Sequence, residues 1–199
     1  MKLVRRNRQN GFTLVELMVA LVLTSLATIG LYQTYVSFST SYDVQDQVAE
    51  MQQNLRVAMQ RLVRDIRMAG YNQAAGAGFL AMNAAQISFT VLNDTTGSLE
   101  TITYDLDAGD LDRNGFSVIQ NVDALDFTYL DENGNVAASL AAIRTVLIAI
   151  VVRTTNEDFA YTDNGTYLNL LGTTILAPQN DNFHRRVLSA RVKCRNMEF

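Results

Sequence analysis

Glu16 is the only charged side chain between Phe12 and Tyr42, in a stretch otherwise of membrane type. A carboxylate inside a bilayer costs roughly 2.5–3.5 kcal/mol on insertion scales, so an ionisable residue kept there reads first as functional. Its chemistry would be electrostatic, because an unpaired buried charge is heavily penalised and needs a cationic partner. The plainer alternative is a glutamate that snorkels to the interface. A second group is Asp110-Leu111-Asp112-Arg113-Asn114-Gly115, where Asp110, Asp112 and Asn114 have the spacing of the first half of a calcium loop. The twelfth loop position, where a bidentate glutamate belongs, is Asn121, and the surroundings read as strand. A solvated turn is therefore the stronger reading, and no metal is expected. His184 and Cys194 are the only histidine and the only thiol. On one strand, ten residues would separate them by roughly 33 Å, too far for a dyad. Cys194 shares parity with Leu188, Ala190 and Val192, which predicts a buried, inert thiol. No phosphate-cradling glycine loop or zinc spacing appears, so neither an enzyme nor a cofactor is expected.

The element that must position Glu16 is apolar and follows a basic leader. Lys2, Arg5, Arg6 and Arg8 precede Gly11 with no acid among them. Residues 12–36 would give roughly 37 Å of helix, enough to cross a bilayer. The leader cations place the N-terminus in the cytoplasm and the rest outside. Without those four, the chain keeps 12 basic residues against 20 acidic ones. That balance argues against a nucleic-acid partner, since phosphate contacts need clustered Lys and Arg. A single cysteine excludes an internal disulfide, so the exported part must rely on its packed core.

The apolar segment admits three readings. A plain signal anchor is one. A cleavable secretory signal is another, with Ser25-Leu26-Ala27 as a passable small-x-small site, although Glu16 interrupts it and apolar character continues through Val36. The third comes from Gly11-Phe12-Thr13-Leu14-Val15-Glu16-Leu17, which closely resembles the processing site of type IV pilins and type II secretion pseudopilins. The resemblance implies cleavage between Gly11 and Phe12 by a membrane prepilin peptidase, which also methylates the new amine of Phe12. Glu16 would then be the fifth mature residue. In a filament of parallel apolar helices, the Phe12 amine of a neighbouring subunit would be its partner, and the pair would fix axial register.

After Tyr42 the pattern becomes amphipathic. Val44, Val48, Met51, Leu55, Ala58 or Met59, Leu62, Ile66 and Ala69 recur at steps of three and four, a stripe facing a core. Asp43, Asp46 and Glu50 come early, and Arg56, Arg61, Arg64 and Arg67 late, so the charges run with a helix dipole. Gly70 supplies the stop. One helix from about residue 13 to 69 is predicted, with Gly30 as a soft point. The arginines read as a solvated face rather than a ligand site. Related pilins often carry a proline in the upper helix, but the only proline here is Pro178.

Beyond an Ala/Gly-rich connector at Asn72–Gly78 the period shifts towards two. Ile87–Leu92 and Leu99–Leu106 read as a hairpin around Asn93–Gly97. Phe116–Val122 and Ala124–Tyr129 follow, and Asn133-Gly134 marks a tight turn. Thr145–Arg153 reads as a central strand and Arg185–Arg195 as the last one. Thr154–Phe183 reads as an irregular polar loop with room for a short element.

Met51–Tyr71, Asn121–Leu130, Arg144–Thr154 and Arg185–Met197 resemble the PilW minor pilin family and its secretion relative GspJ. The resemblance implies an α+β pilin fold, one long N-terminal helix packed on an antiparallel sheet. It implies a leader (1–11), a transmembrane or filament-core helix (12–42), its amphipathic continuation (43–70) and a periplasmic β-rich domain (71–199). It also implies a minor subunit that helps start a type IV pilus and sits near its tip. Partners would be other major and minor pilins, the prepilin peptidase and the inner-membrane assembly platform. Two alternatives stay open: a GspJ-like pseudopilin of type II secretion, and a signal-anchored periplasmic binding domain that never polymerises.

Overall fold

The computed structural model describes residues 11–71 and 78–197; the leader at 1–10 and most of the connector, at 72–77, lie outside them. A single helix, α1 (Leu14–Arg67), runs unbroken through Gly30. The chain divides into two compact units at Gln45/Asp46, inside α1. In the N-terminal unit the apolar side chains of α1 are exposed, and the helix is long and apolar enough to cross a membrane. In the second unit the expected stripe is buried: Met51, Leu55, Ala58, Met59, Leu62 and Ile66 pack into the core.

That core lies under antiparallel sheets. Five strands follow one another in chain order: β1 (Phe79–Met82), β2 (Gln86–Leu92), β3 (Leu99–Asp107), β4 (Asp110–Arg113) and β5 (Phe116–Ile119). A three-stranded sheet places β7 (Thr145–Arg153) between β6 (Val122–Leu130) and β10 (Arg185–Lys193). A small ribbon, β8 (Tyr167–Leu168) with β9 (Thr174–Leu176), is the short element inside the long loop. Seven consecutive residues of β7 are buried, as its β-branched run predicts. The two larger sheets are tied together where Tyr129 Oη donates to the carbonyls of Asn83 and Gln86, each at 3.0 Å.

Several sequence expectations need correction. β1 carried no readable signal, being four residues of FLAM with no alternation. The calcium-like stretch is largely the strand β4, and the Asn-Gly pair that closes a two-residue hairpin is Asn114-Gly115. Both residues have positive φ, 53° and 76°, as a tight I′ turn requires. Asn133-Gly134 instead sits in a turn closed by the Asp131 N–H to Asn135 carbonyl bond and a lone bridge, Leu130 to Val136. The dipole argument also holds only in part. Arg64 and Arg67 lie in the last turn, but Asp43, Asp46 and Glu50 begin 29 residues after Leu14. The dipole acts within the first and last turns, so it does not explain those acids.

Gly70 ends the helix at φ 71°, donating its N–H to the Thr90 carbonyl. A Cβ there would stand 2.7 Å from Met197 Sδ. Gly70→Ala is expected to cost about 1–2 kcal/mol through the left-handed backbone. In urea unfolding of the solubilised chain this should appear as a lower midpoint at constant slope.

Candidate functional site

The helix start is built by Thr13. Its Oγ1 accepts the Glu16 N–H at 3.2 Å and its carbonyl accepts the Leu17 N–H at 3.1 Å. Thr13 is therefore the N-cap and Glu16 the third helical residue, the spacing of a capping box. The sequence signal for this cap is the Thr13-x-x-Glu16 spacing ahead of an apolar run. Glu16 also lies in the first turn, where the helix dipole favours a negative charge. Gly11 and Phe12 precede the helix in non-helical, exposed backbone, with Phe12 87% accessible.

Along the apolar stretch the hydroxyls turn back onto the helix. Thr24, Thr28, Thr34 and Thr40 donate to carbonyls four residues earlier, and Ser25 to the carbonyl of Val22. These bonds leave the hydroxyls no demand on solvent, the requirement for polar groups in an apolar medium.

The remaining candidates are separate from this site and from one another. Asn114 is clipped to β3: its Oδ1 accepts the Thr103 N–H at 2.7 Å and its Nδ2 donates to the Thr101 carbonyl. Asp110 Oδ2 accepts from Ser117 Oγ at 2.9 Å. Asp112 is pushed up by partial desolvation and by the neighbouring charges of Asp105, Asp107 and Asp110. Among the described residues no group of three or more His, Cys, Asp or Glu could hold a metal ion. His184 and Cys194 flank the nine residues of β10, one before and one after, so no dyad forms. His184 Nε2 lies 3.0 Å from Asp158 Oδ2, with the Tyr161 ring stacked on the imidazole at 3.9 Å. Burial pushes the Cys194 thiol up to about 12, which makes it a poor nucleophile.

Two charged networks were not anticipated. Asp65 on α1 accepts from Tyr104 Oη at 2.8 Å and from Arg113 Nε at 2.9 Å, joining the helix to β3 and β4. Arg185 is buried, with its side chain 1% accessible, and donates to Asp123, Asp163 and Asp181. Asp163 is stabilised further by the Gly165 N–H and Tyr167 Oη. The parity of β10 places Arg185 with Arg191 and Lys193 on an outward side. The loop before β10 supplies Asp163 and Asp181 and encloses it. Both networks tie elements to each other, and the one around Arg185 also borders an open depression of about 320 Å³ that Asp163, Tyr167 and Arg185 help to line.

Residues 6–32 match the model of the prokaryotic N-terminal methylation motif. No curated protein matches the chain in sequence. Its structure is similar to that of a type IV-like pilin from Thermus thermophilus, at 15% identity and a TM-score of 0.57, covering 74% of this chain and 98% of that one. The fold is thus type IV pilin-like, and the N-terminus carries the methylation motif characteristic of prepilins.

Proposed function

We propose that this chain is a minor prepilin of the PilW type, a structural subunit rather than an enzyme. It is cut between Gly11 and Phe12 and methylated at Phe12, and residues 12–42 hold it in the inner membrane until assembly. Its β-rich domain projects into the periplasm, where it joins major and minor pilins at the assembly platform, helps start a type IV pilus and sits near the tip. The observation that carries this reading is the placing of the methylation motif over Gly11, Phe12 and Glu16, at the head of an apolar helix that its own chain leaves uncovered.

The geometry supports each step. The bond to be cut lies ahead of Thr13 in exposed, non-helical backbone, and Gly11 lets a peptidase approach closely. Before assembly, the positive end of α1 offsets part of the cost of the Glu16 carboxylate. After cleavage the Phe12 amine gives that carboxylate a partner on a neighbouring subunit, in a dry core where the attraction is strong.

Mass spectrometry of the chain purified from membranes is expected to find a mature N-terminus at N-methylated Phe12. A chain with its leader intact, or one starting at Thr28, would refute the prepilin reading.

A further inference from the structure

β10 is an outer strand of the three-stranded sheet, bordered by β7 on one side. Two bonds just beyond its ends fix which way its backbone groups point. The Thr154 N–H donates to the His184 carbonyl, and the Cys194 N–H to the Arg144 carbonyl. In an antiparallel pair such groups alternate along the strand, so the even-numbered residues from 184 to 194 bond β7. The odd-numbered ones turn their N–H and C=O groups to the other side. Among the described residues, those of Val187, Ser189 and Arg191 meet no partner there. The register with β7 runs without a shift from Arg185 to Lys193. The other edges of the two larger sheets are blunted. β1 and β5 are four residues long, and each carries a register shift against its neighbour. On β6 the Phe127 N–H donates to the Ala84 carbonyl, and the Tyr129 carbonyl accepts the Ala137 N–H.

A long, regular, open edge is a template for one more strand. The charges along β10 select what that strand can be. The strand reads RRVLSARVK and holds no acid, so pairing with a second copy of itself would bring cation to cation. Arg186 and Arg191 are exposed, one on each face of the sheet, and among the described residues neither forms an ion pair. We infer that this edge takes an extended acidic segment of a partner protein as a further antiparallel strand. Carboxylates five positions apart on that segment stand opposite Arg191 and Arg186, one on each face. Its backbone groups bond those of Val187, Ser189 and Arg191. Past Arg186 the segment reaches the depression beside the Arg185 cluster, where Tyr161, Asn164, Tyr167 and Val187 offer a seat for one of its side chains. The whole surface lies in the globular unit, so it does not depend on how the N-terminus is processed.

The test uses a labelled peptide as long as β10, with aspartates at its third and eighth positions to face Arg191 and Arg186, and threonine or valine elsewhere. It is titrated by fluorescence anisotropy against the full chain in phosphatidylcholine nanodiscs, and saturable binding is expected. Lysine in place of both aspartates, or Arg186→Glu with Arg191→Glu in the chain, should weaken binding by about tenfold or more. N-methylation at the third, fifth and seventh peptide positions, whose N–H groups face β10, should weaken it as much. N-methylation at the fourth and sixth positions, whose N–H groups face away, should leave it nearly unchanged. Ser189→Pro removes an edge donor that β7 does not use, and should lower affinity while the sheet stays formed. Absence of binding, binding that survives charge reversal, or equal loss from both sets of N-methyl groups would each overturn the inference. Self-association of the natural chain that the peptide reverses would overturn it too, because a second copy would then be the occupant.

Discussion

Glu16→Gln and Glu16→Ala are both expected to leave the chain in the membrane and to lower its incorporation into filaments at least tenfold. The two variants divide the roles of this residue. The backbone N–H of residue 16 donates to Thr13 Oγ1 in both variants, and only glutamine keeps a polar side chain at the third helical position. Neither keeps the charge. If the carboxylate acts by pairing with a neighbour's Phe12 amine, the two fail alike. If its role is local capping, Glu16→Gln assembles normally. Removing a charge that costs roughly 2.5–3.5 kcal/mol in the bilayer should also leave insertion unharmed or improved. Immunoblots of sheared filaments against membrane fractions measure both quantities together. Normal incorporation of Glu16→Ala would show that the acid has no part in register.

Arg185→Met is expected to destabilise the globular unit by about 3–5 kcal/mol, the usual effect of removing one partner from a buried charged cluster. For a unit of this size that is a fall on the order of 10 °C in melting temperature. The loss arises because Asp163, with its side chain only 3% accessible, would remain enclosed without the guanidinium that holds it, while the half-buried Asp181 would lose its bidentate partner. Adding Asp163→Asn and Asp181→Asn to Arg185→Met should recover part of it, which the loss of packing alone would not allow. The cluster also sets an acid limit. The hydrogen bond from Arg185 holds Asp181 below the usual carboxylate range. Burial would raise Asp163, but bonds from Gly165, Arg185 and Tyr167 hold it below that range too. Groups depressed in the folded state stabilise it above their unfolded value, near 3.9. That contribution is lost as pH falls through their folded values. Thermal melts should therefore show a steep decline below about pH 4 in the natural chain, and a shallower one in the triple variant. Equal slopes would remove the cluster from the account of acid stability.

Much of the architecture was present in the sequence because it rests on local periodicity. The change from uniform apolarity to a three-and-four stripe after Tyr42 divides α1 into an exposed segment and a core-facing one. The β-branched run at Thr145–Arg153 fixed the central strand to the residue. Gly70 stopped the helix, since few other residues accept φ 71°. The N-terminal motif was likewise legible, being contiguous. β1 and β4 were not, because four residues are too few to display a period, and β5, equally short, showed only as the start of a longer Phe116–Val122 run. The calcium-like hexapeptide shows the same limit from the other side. Asp, Asn and Gly suit both a cation loop and a tight hairpin, and the pairing of β4 with β3 and β5 selects the hairpin.

By itself the sequence determined the long helix, its two environments, the strand-rich domain and the processing signature, all features carried by neighbours along the chain. Only the tertiary structure decided where the charges go. Alternation in β10 would turn Arg185 outward, yet side chains 62 residues before it and 4 and 22 residues away in the preceding loop enclose it. Asp65 found its partners 39 and 48 residues ahead, on β3 and β4. Pairing a charge across such distances depends on how sheets and loops close over one another, and no spacing along the chain encodes that closure.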